Sequence, residues 1–189
     1  MGNVIVTEFV SVDGVFEDPG GSENFEHGGW SFEFNRGDDG DKFKLDETMA
    51  SDALLLGRVT YEGFADAWPK RSGDPFSEKF NSMPKYVVSS TLENPDWNNS
   101  TVIGGNLSEE VAKLKDEYDH DIAVHGSGQL SRALLDEGLV DEVRLMVFPV
   151  VLGEGKRFFD GVDMRAFELA DSKTVGPDGV IVLTYRPKS

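Results

Sequence analysis

The chain of 189 residues contains no cysteine. Disulfides, cysteine-ligated zinc and thiol catalysis are therefore excluded. Basic residues are scarce, with 18 Lys and Arg against 35 Asp and Glu and a formal charge of −17. A surface of that sign repels nucleic acid and anionic membrane, so neither is an expected partner. No apolar run approaches the about 18 residues of a membrane span. The three histidines, His27, His120 and His125, lack metal-ligand spacing, and no metal site is expected. Asn35 to Asp46 half resembles a calcium loop, but Gly37 takes the third position and Asp46 stands where Glu belongs. A Gly-x-Ser-x-Gly elbow is missing too. No basic, apolar leader precedes the strand-like run Val4 to Val10, so the expected location is cytoplasmic.

What is present describes a globular chain. Hydrophobic residues make up 39%, with 13 Phe and 3 Trp, enough for one well-buried core, and the chain reads as a single domain over 1–189. Strand-like runs cover Val4 to Val10, Ala53 to Leu56, Tyr86 to Val88, Thr101 to Ile103 and Ile122 to His125. Helical spacing covers Lys42 to Ala50, Arg58 to Ala67, a segment N-capped by Ser108, and Ser131 to Glu137 with Gly138 as terminator. Ser11 to Gly40 reads as a long acidic loop, and Pro69, Gly73 and Pro75 break the stretch after the second helix. Val143 to Phe148 and Val180 to Tyr185 are late strands. This order predicts an α/β fold, a mostly parallel central sheet flanked by helices, with an antiparallel C-terminal edge. Val143 to Phe148, taken as a late edge strand, could pair or pack across a two-fold axis, which allows a homodimer.

Three strand ends favour anions. Gly126-Ser127-Gly128-Gln129-Leu130 joins an apolar run to a helical one, a geometry that offers backbone N–H groups and a helix N-terminus to phosphate. The dinucleotide fingerprint is only partly met, because Ser131 holds the third glycine's place and the turn comes late, so a Rossmann domain is not expected. Gly57-Arg58-Val59-Thr60 places a guanidinium and a hydroxyl at another helix start. Arg58 could equally pair with one of the many carboxylates. Ser89-Ser90-Thr91 sets three hydroxyls at a strand end, or is an ordinary polar turn. His125, beside the glycine turn, is either a neighbour of a ligand there or a packed histidine.

In order along the whole chain, Ser11-Val12-Asp13-Gly14-Val15, Leu55-Leu56-Gly57-Arg58-Val59-Thr60-Tyr61-Glu62, Val87 to Leu92, Gly126 to Leu130 and Leu139 through Gly153 resemble the dihydrofolate reductase-like proteins. The branch they are most similar to is the C-terminal reductase domain of bacterial bifunctional riboflavin biosynthesis protein. The resemblance implies a dihydrofolate reductase-like three-layer sandwich, NADPH as cofactor and hydride transfer as chemistry. It implies that Gly57, Arg58 and Thr60 form a phosphate-binding turn, and that Ser89 and Ser90, with Thr91 beside them among the cofactor-binding residues, hold the adenosine 2′-phosphate, favouring NADPH over NADH. Gly126, Ser127, Gly128, Gln129 and Leu130 would lie against pyrophosphate and nicotinamide. Ser11, Val12, Asp13 and Gly14 would face nicotinamide and substrate, although Asp13 could equally be a turn residue. Asp41 matches the distance of the carboxylate that true dihydrofolate reductases place before Gly-Arg. A buried acid there could relay a proton, while an acid stabilised by the helix dipole is the alternative.

Asp13 and Asp41 are thus the candidate catalytic residues, and Trp30, Phe32 and Phe159 are candidate aromatic walls of a substrate pocket or plain core residues. The expected activity is NADPH-dependent reduction of a small pterin-like, pyrimidine-like or carbonyl/imine substrate, in the manner of 5-amino-6-(5-phosphoribosylamino)uracil reductase. The acidic insertion from Glu17 to Asp39 shows no basic cluster for a substrate phosphate. A non-catalytic NADPH-binding sensor or interaction protein on the same fold is the alternative.

Overall fold

The computed structural model describes residues 1–188, and Ser189 lies outside the described residues. Eight strands share one sheet: β1 (Asn3–Ser11), β2 (Ser51–Gly57), β3 (Lys85–Val88), β4 (Ser100–Ile103), β5 (Asp121–His125), β6 (Glu142–Phe148), β7 (Phe167–Val175) and β8 (Val180–Pro187). Their order is β4-β3-β2-β5-β1-β6-β8-β7. β4, β3, β2 and β5 pair in parallel, whereas β6-β8 and β8-β7 are antiparallel. Five helices intervene: α1 (Gly37–Ala50), α2 (Arg58–Ala67), α3 (Pro75–Ser82), α4 (Leu107–Glu117) and α5 (Gly128–Asp136). This is the expected mixed α/β sheet with an antiparallel C-terminal end. No helix among the described residues is long and apolar enough to cross a membrane.

Several expectations are corrected. β6 is not an edge strand, because β1 and β8 flank it; the edges are β4 and β7. Val143 to Phe148 is therefore not available for edge pairing with a second copy. β7 escaped notice because its pattern is exposed along nearly its whole length, leaving no apolar alternation to read. α3 starts at Pro75, which opens this helix rather than breaking the chain, with Asp74 as its N-cap. The α4 N-cap is Asn106, whose side chain accepts from Glu109 N–H at 3.1 Å, while Ser108 donates to Glu137. α1 begins at Gly37, inside the span read as loop.

By its contacts the chain divides into two compact units, the first Met1–Val6 with Lys44–Asp141, the second Thr7–Phe43 with Glu142–Ser189. The first unit buries Leu54, Leu56, Tyr61, Phe80, Met83, Val87, Trp97 and Ala123 together. β2 is apolar on both faces (Ala53 to Leu56, all 0% exposed), as a strand covered on both sides requires. Lys85 is fully buried here, and its ammonium donates to the carbonyls of Asn81 (2.7 Å), Met83 (2.9 Å) and Asn98 (2.9 Å) while lying 4.2 Å from the Trp97 ring centre. All three ammonium protons are thus used, tying the end of α3 to the approach to β4. The second unit packs Trp30, Met146, Phe148, Val175, Val180 and Val182. There the start of α1 meets the turn between β7 and β8 at two glycines, and a Cβ on Gly37 would fall 2.8 Å from the Gly176 Cα. One on Gly176 would fall 2.3 Å from the Arg36 carbonyl carbon.

Replacing Lys85 with Met keeps the volume but strands three carbonyls, each loss costing about 1 kcal/mol. We expect Lys85→Met to lower unfolding stability by about 2–4 kcal/mol in urea melts at unchanged m-value.

Candidate active site

The parallel strands β3, β2 and β5 end at the same level, with Gly57 opposite Val88 and Leu54 opposite Ala123. Their C-terminal ends therefore bring together Ser89, Gly57-Arg58 and Gly126-Ser127, the place where open α/β sheets bind ligands. Ser127 joins two of these turns. Gly57 N–H donates to Ser127 Oγ at 2.9 Å, Ser127 N–H donates to Thr60 Oγ1 at 2.8 Å, and Ser127 O–H donates to the His125 carbonyl at 3.1 Å. The N-termini of α2 and α5 are thereby locked to one another. Ser127 adopts a left-handed φ of 56°, a costly conformation for a residue with a Cβ. Gly126 beside it has φ 58°, and an added Cβ would lie 3.0 Å from Thr60 Oγ1.

Neither helix is capped by a side chain. Gly57 before α2 and Ser127 before α5 provide no capping hydrogen bond, whereas Asp74 and Asn106 cap α3 and α4. The first N–H groups of α2 and α5 have no intrahelical acceptor. Two uncapped N-termini side by side form a donor set suited to a diphosphate. These residues fit the phosphates of a nicotinamide dinucleotide. Gly128 and Leu130 are buried at the start of α5 and Gln129 is exposed.

The remaining candidates are placed as follows. Arg58 is held by Glu62 through two hydrogen bonds of 3.0 and 2.9 Å, the carboxylate pairing its composition allowed. Ser89 Oγ accepts from Thr91 N–H (3.1 Å) and Leu92 N–H (3.0 Å), so it shapes its own turn, while Ser90 and Thr91 are exposed. His125 sets its ring edge against Phe80 at 5.4 Å, and its Nε2 is shielded from solvent without a hydrogen-bond partner. Burial, helped by the Lys44 charge, pushes this imidazole down to about 3, so it is neutral at physiological pH.

In the second unit, Asp13 is a fastener. Its carboxylate accepts from Ser11 O–H (2.6 Å), Leu152 N–H (3.1 Å) and Gly153 N–H (2.9 Å), and Arg157 stands 3.6 Å away. The Ser11 hydrogen bond, supported by the two backbone donors, holds its pKa down at about 2. Such a group stays ionised near neutrality and is no proton donor there. Gly14 turns the chain with φ 81° and its carbonyl accepts from Phe158 N–H at 2.9 Å; Val12 is exposed. Asp41 is exposed and paired with Arg36 at 2.6 Å, so of its two readings the buried acid is not found and Asp41 is a surface acid of α1. Trp30 is a core residue, 4% exposed, its indole N–H donating to the Glu17 carbonyl and its ring set edge-on to Phe148. Phe32 is exposed, and Phe159 is partly exposed and packs on Phe158 at 4.8 Å. Among the described residues no cluster of three or more His, Asp or Glu could hold a metal ion.

One feature escaped sequence reading. Trp68, Lys70, Arg71, Ser72, Asp74, Phe76 and Ser77 line a cavity of about 480 Å³. The adjacent basic pair Lys70-Arg71 after Pro69 was its only linear trace.

Comparison with known proteins identifies the lineage. Residues 3–181 match the RibD C-terminal domain. The chain belongs to that family. The RibD C-terminal domain family also covers the strand ends described above, since all lie within the matched span. The uncharacterised Bacillus subtilis protein YyaP is 37% identical over 140 residues, 71% of this chain and 73% of its own. A candidate riboflavin biosynthesis protein of Shewanella sp. PV-4 superposes with a TM-score of 0.74 at 23% identity, over 99% of both chains. Enterococcus faecalis dihydrofolate reductase, solved in complex with NADP(H), superposes with a TM-score of 0.64 at 16% identity, over 99% of this chain and 97% of that one. At these identities the two structures share the fold, which is dihydrofolate reductase-like.

Two outcomes follow. Gly126→Ala must place a Cβ at positive φ against Thr60, and we expect a loss of about 1–2 kcal/mol in thermal or urea unfolding. For Asp13, the folded pKa of about 2 lies below the ordinary 3.8. Its stabilisation is fully present above pH 3.8 and is lost as pH falls toward 2. Asp13→Asn should therefore flatten the acid limb of the stability curve in that window, measured by chemical denaturation at each pH.

Proposed function

We propose that the chain is an NADPH-dependent reductase of a small pterin-like, pyrimidine-like or carbonyl/imine substrate. The observation that carries this is the pair of uncapped helix N-termini bridged by Ser127, in a chain of the RibD C-terminal domain family. The N–H groups opening α2 and α5 would bind the pyrophosphate. Thr60 and Ser127 fix those donors before the ligand arrives, so little reorganisation is required on binding. Arg58 would turn from Glu62 to a phosphate; an exposed ion pair of this kind costs at most about 1 kcal/mol to break. Ser90 and Thr91 are exposed at the surface, where they would meet the 2′-phosphate that distinguishes NADPH from NADH. When bound, the nicotinamide supplies the hydride, and the protein supplies placement and exclusion of water.

A second reading has its own support. Asp13 is fastened in its ionised form and does not deliver a proton near neutral pH, and Asp41 is turned to the surface in an ion pair with Arg36. A protein that binds NADPH without turning it over would have that character.

Calorimetric titration with NADPH and NADH separates these readings from failure of both. We expect NADPH to bind in the micromolar range, NADH more weakly, and Arg58→Ala and Ser90→Ala each to lose about tenfold in NADPH affinity, as charge-assisted contacts to phosphate do. Binding of neither cofactor to folded protein sinks the cofactor assignment. Binding without NADPH oxidation across a panel of pterins, pyrimidines, imines and carbonyls selects the sensor.

A further inference from the structure

The cavity beside α3 has the makings of a second binding site. Its wall is Trp68 with Phe76, ring centres 5.2 Å apart, backed by Phe80 at 4.6 Å from Trp68. The Arg71 guanidinium lies over the Trp68 ring at 4.6 Å. The backbone that carries both residues is fixed, because Arg71 N–H donates to the Trp68 carbonyl at 2.9 Å and Asn81 Nδ2 donates to the Trp68 and Arg71 carbonyls at 3.0 and 3.3 Å. Asn81 is itself held by the Trp97 indole N–H at 2.8 Å. The cation thus lies over a fixed aromatic surface on an exposed side chain.

The Asp74 carboxylate at the same cavity feels the Arg71 charge but forms no salt bridge with it among the described residues. Among the described residues Arg71 makes no ion pair and no side-chain hydrogen bond, whereas Arg36, Arg58, Arg144, Arg157 and Arg186 all hold carboxylates. The carboxylate lining the same cavity is engaged elsewhere. Asp74 caps α3, accepting from Ser77 N–H at 2.9 Å and from the Ser77 hydroxyl at 2.5 Å. Lys70, also at the cavity, is tied only by an exposed bridge to Asp66. In a chain with 35 acidic and 18 basic residues, an arginine left unpaired over an aromatic floor points to an anion supplied from outside.

We infer that this cavity binds an oxyanion carried on a flat apolar body. The carboxylate or phosphate would take the Arg71 fork with Lys70 beside it, and the apolar body would lie against Trp68 and Phe76. The site is separate from the Ser127 bridge, since α2 spans about 15 Å between them at about 1.5 Å per residue. It does not rest on the reductase reading, and it stands if no nicotinamide cofactor binds.

The test is calorimetric titration of the full chain with benzoate, phenyl phosphate and the neutral analogue benzyl alcohol, for wild type, Arg71→Ala and Arg71→Lys. Arg71 is exposed, and unchanged circular dichroism and urea midpoints confirm that the variants are folded. The proposal expects millimolar or tighter binding of an aryl anion, about tenfold weaker in Arg71→Ala and only partly recovered in Arg71→Lys. Preference for phenyl phosphate identifies a phosphate site and preference for benzoate a carboxylate site; either supports the inference. It is overturned if neither anion binds at millimolar concentration, if benzyl alcohol binds as well, or if Arg71→Ala binds unchanged. Displacement of the probe by NADPH would overturn the separateness of the site.

Discussion

The turn at Ser127 depends on one side chain being donor and acceptor at once. Its hydroxyl accepts from Gly57 and donates to the His125 carbonyl, and its N–H finds Thr60. Without these bonds β2 and β5 would still be neighbours in the sheet, because their ladder does not involve Ser127. What would be lost is the common level and aim of α2 and α5. The left-handed conformation of Ser127 persists because three hydrogen bonds over-determine it.

The acidity of the chain explains why the donors are backbone groups. Most guanidinium groups are committed to internal carboxylates, with Arg144 and Arg186 both on Glu142 and Arg157 beside Asp13. A helix N-terminus carries about half a positive charge that no neighbouring acid can titrate away. Salt confines the repulsion of distant acids to within about 8 Å, so a local field from two helices can act in an anionic molecule. Arg71 extends the same logic to a side chain, because the hydrogen-bonding capacity of nearby Asp74 is directed to Ser77 while only its charge reaches the guanidinium.

The sequence revealed those parts of the fold where chemistry and periodicity coincide. The apolar run Ala53 to Leu56, the helix Arg58–Ala67 and the glycine turn at 126 to 128 all carry local signals, and all form as read. β7 does not, because an edge strand exposed along most of its length has no buried face to leave a pattern. Asn106 and Ser108 are both good caps, and only three-dimensional contact with Glu137 decides between them. At the candidate site, the residue types at the strand ends were legible but their partners were not. Nothing in linear order says that Asp13 will meet the backbone of Leu152 and Gly153, or that Asp41 will turn outward to Arg36.

The meeting of Gly37 and Gly176 bears on how this chain can change over time. A Cβ on Gly37 would claim the space of the Gly176 backbone, a Cβ on Gly176 that of the Asn35 and Arg36 backbone, and each holds a positive φ, 65° and 66°. Any single substitution at either position pushes backbone against backbone, where no side-chain rearrangement can absorb it. A second change at the other position adds bulk instead of relieving it, so the pair has no compensating route. The start of α1 and the β7–β8 turn are therefore fixed together in mutational space, and variation in this unit passes more easily through the exposed positions of β7 between Phe167 and Val175.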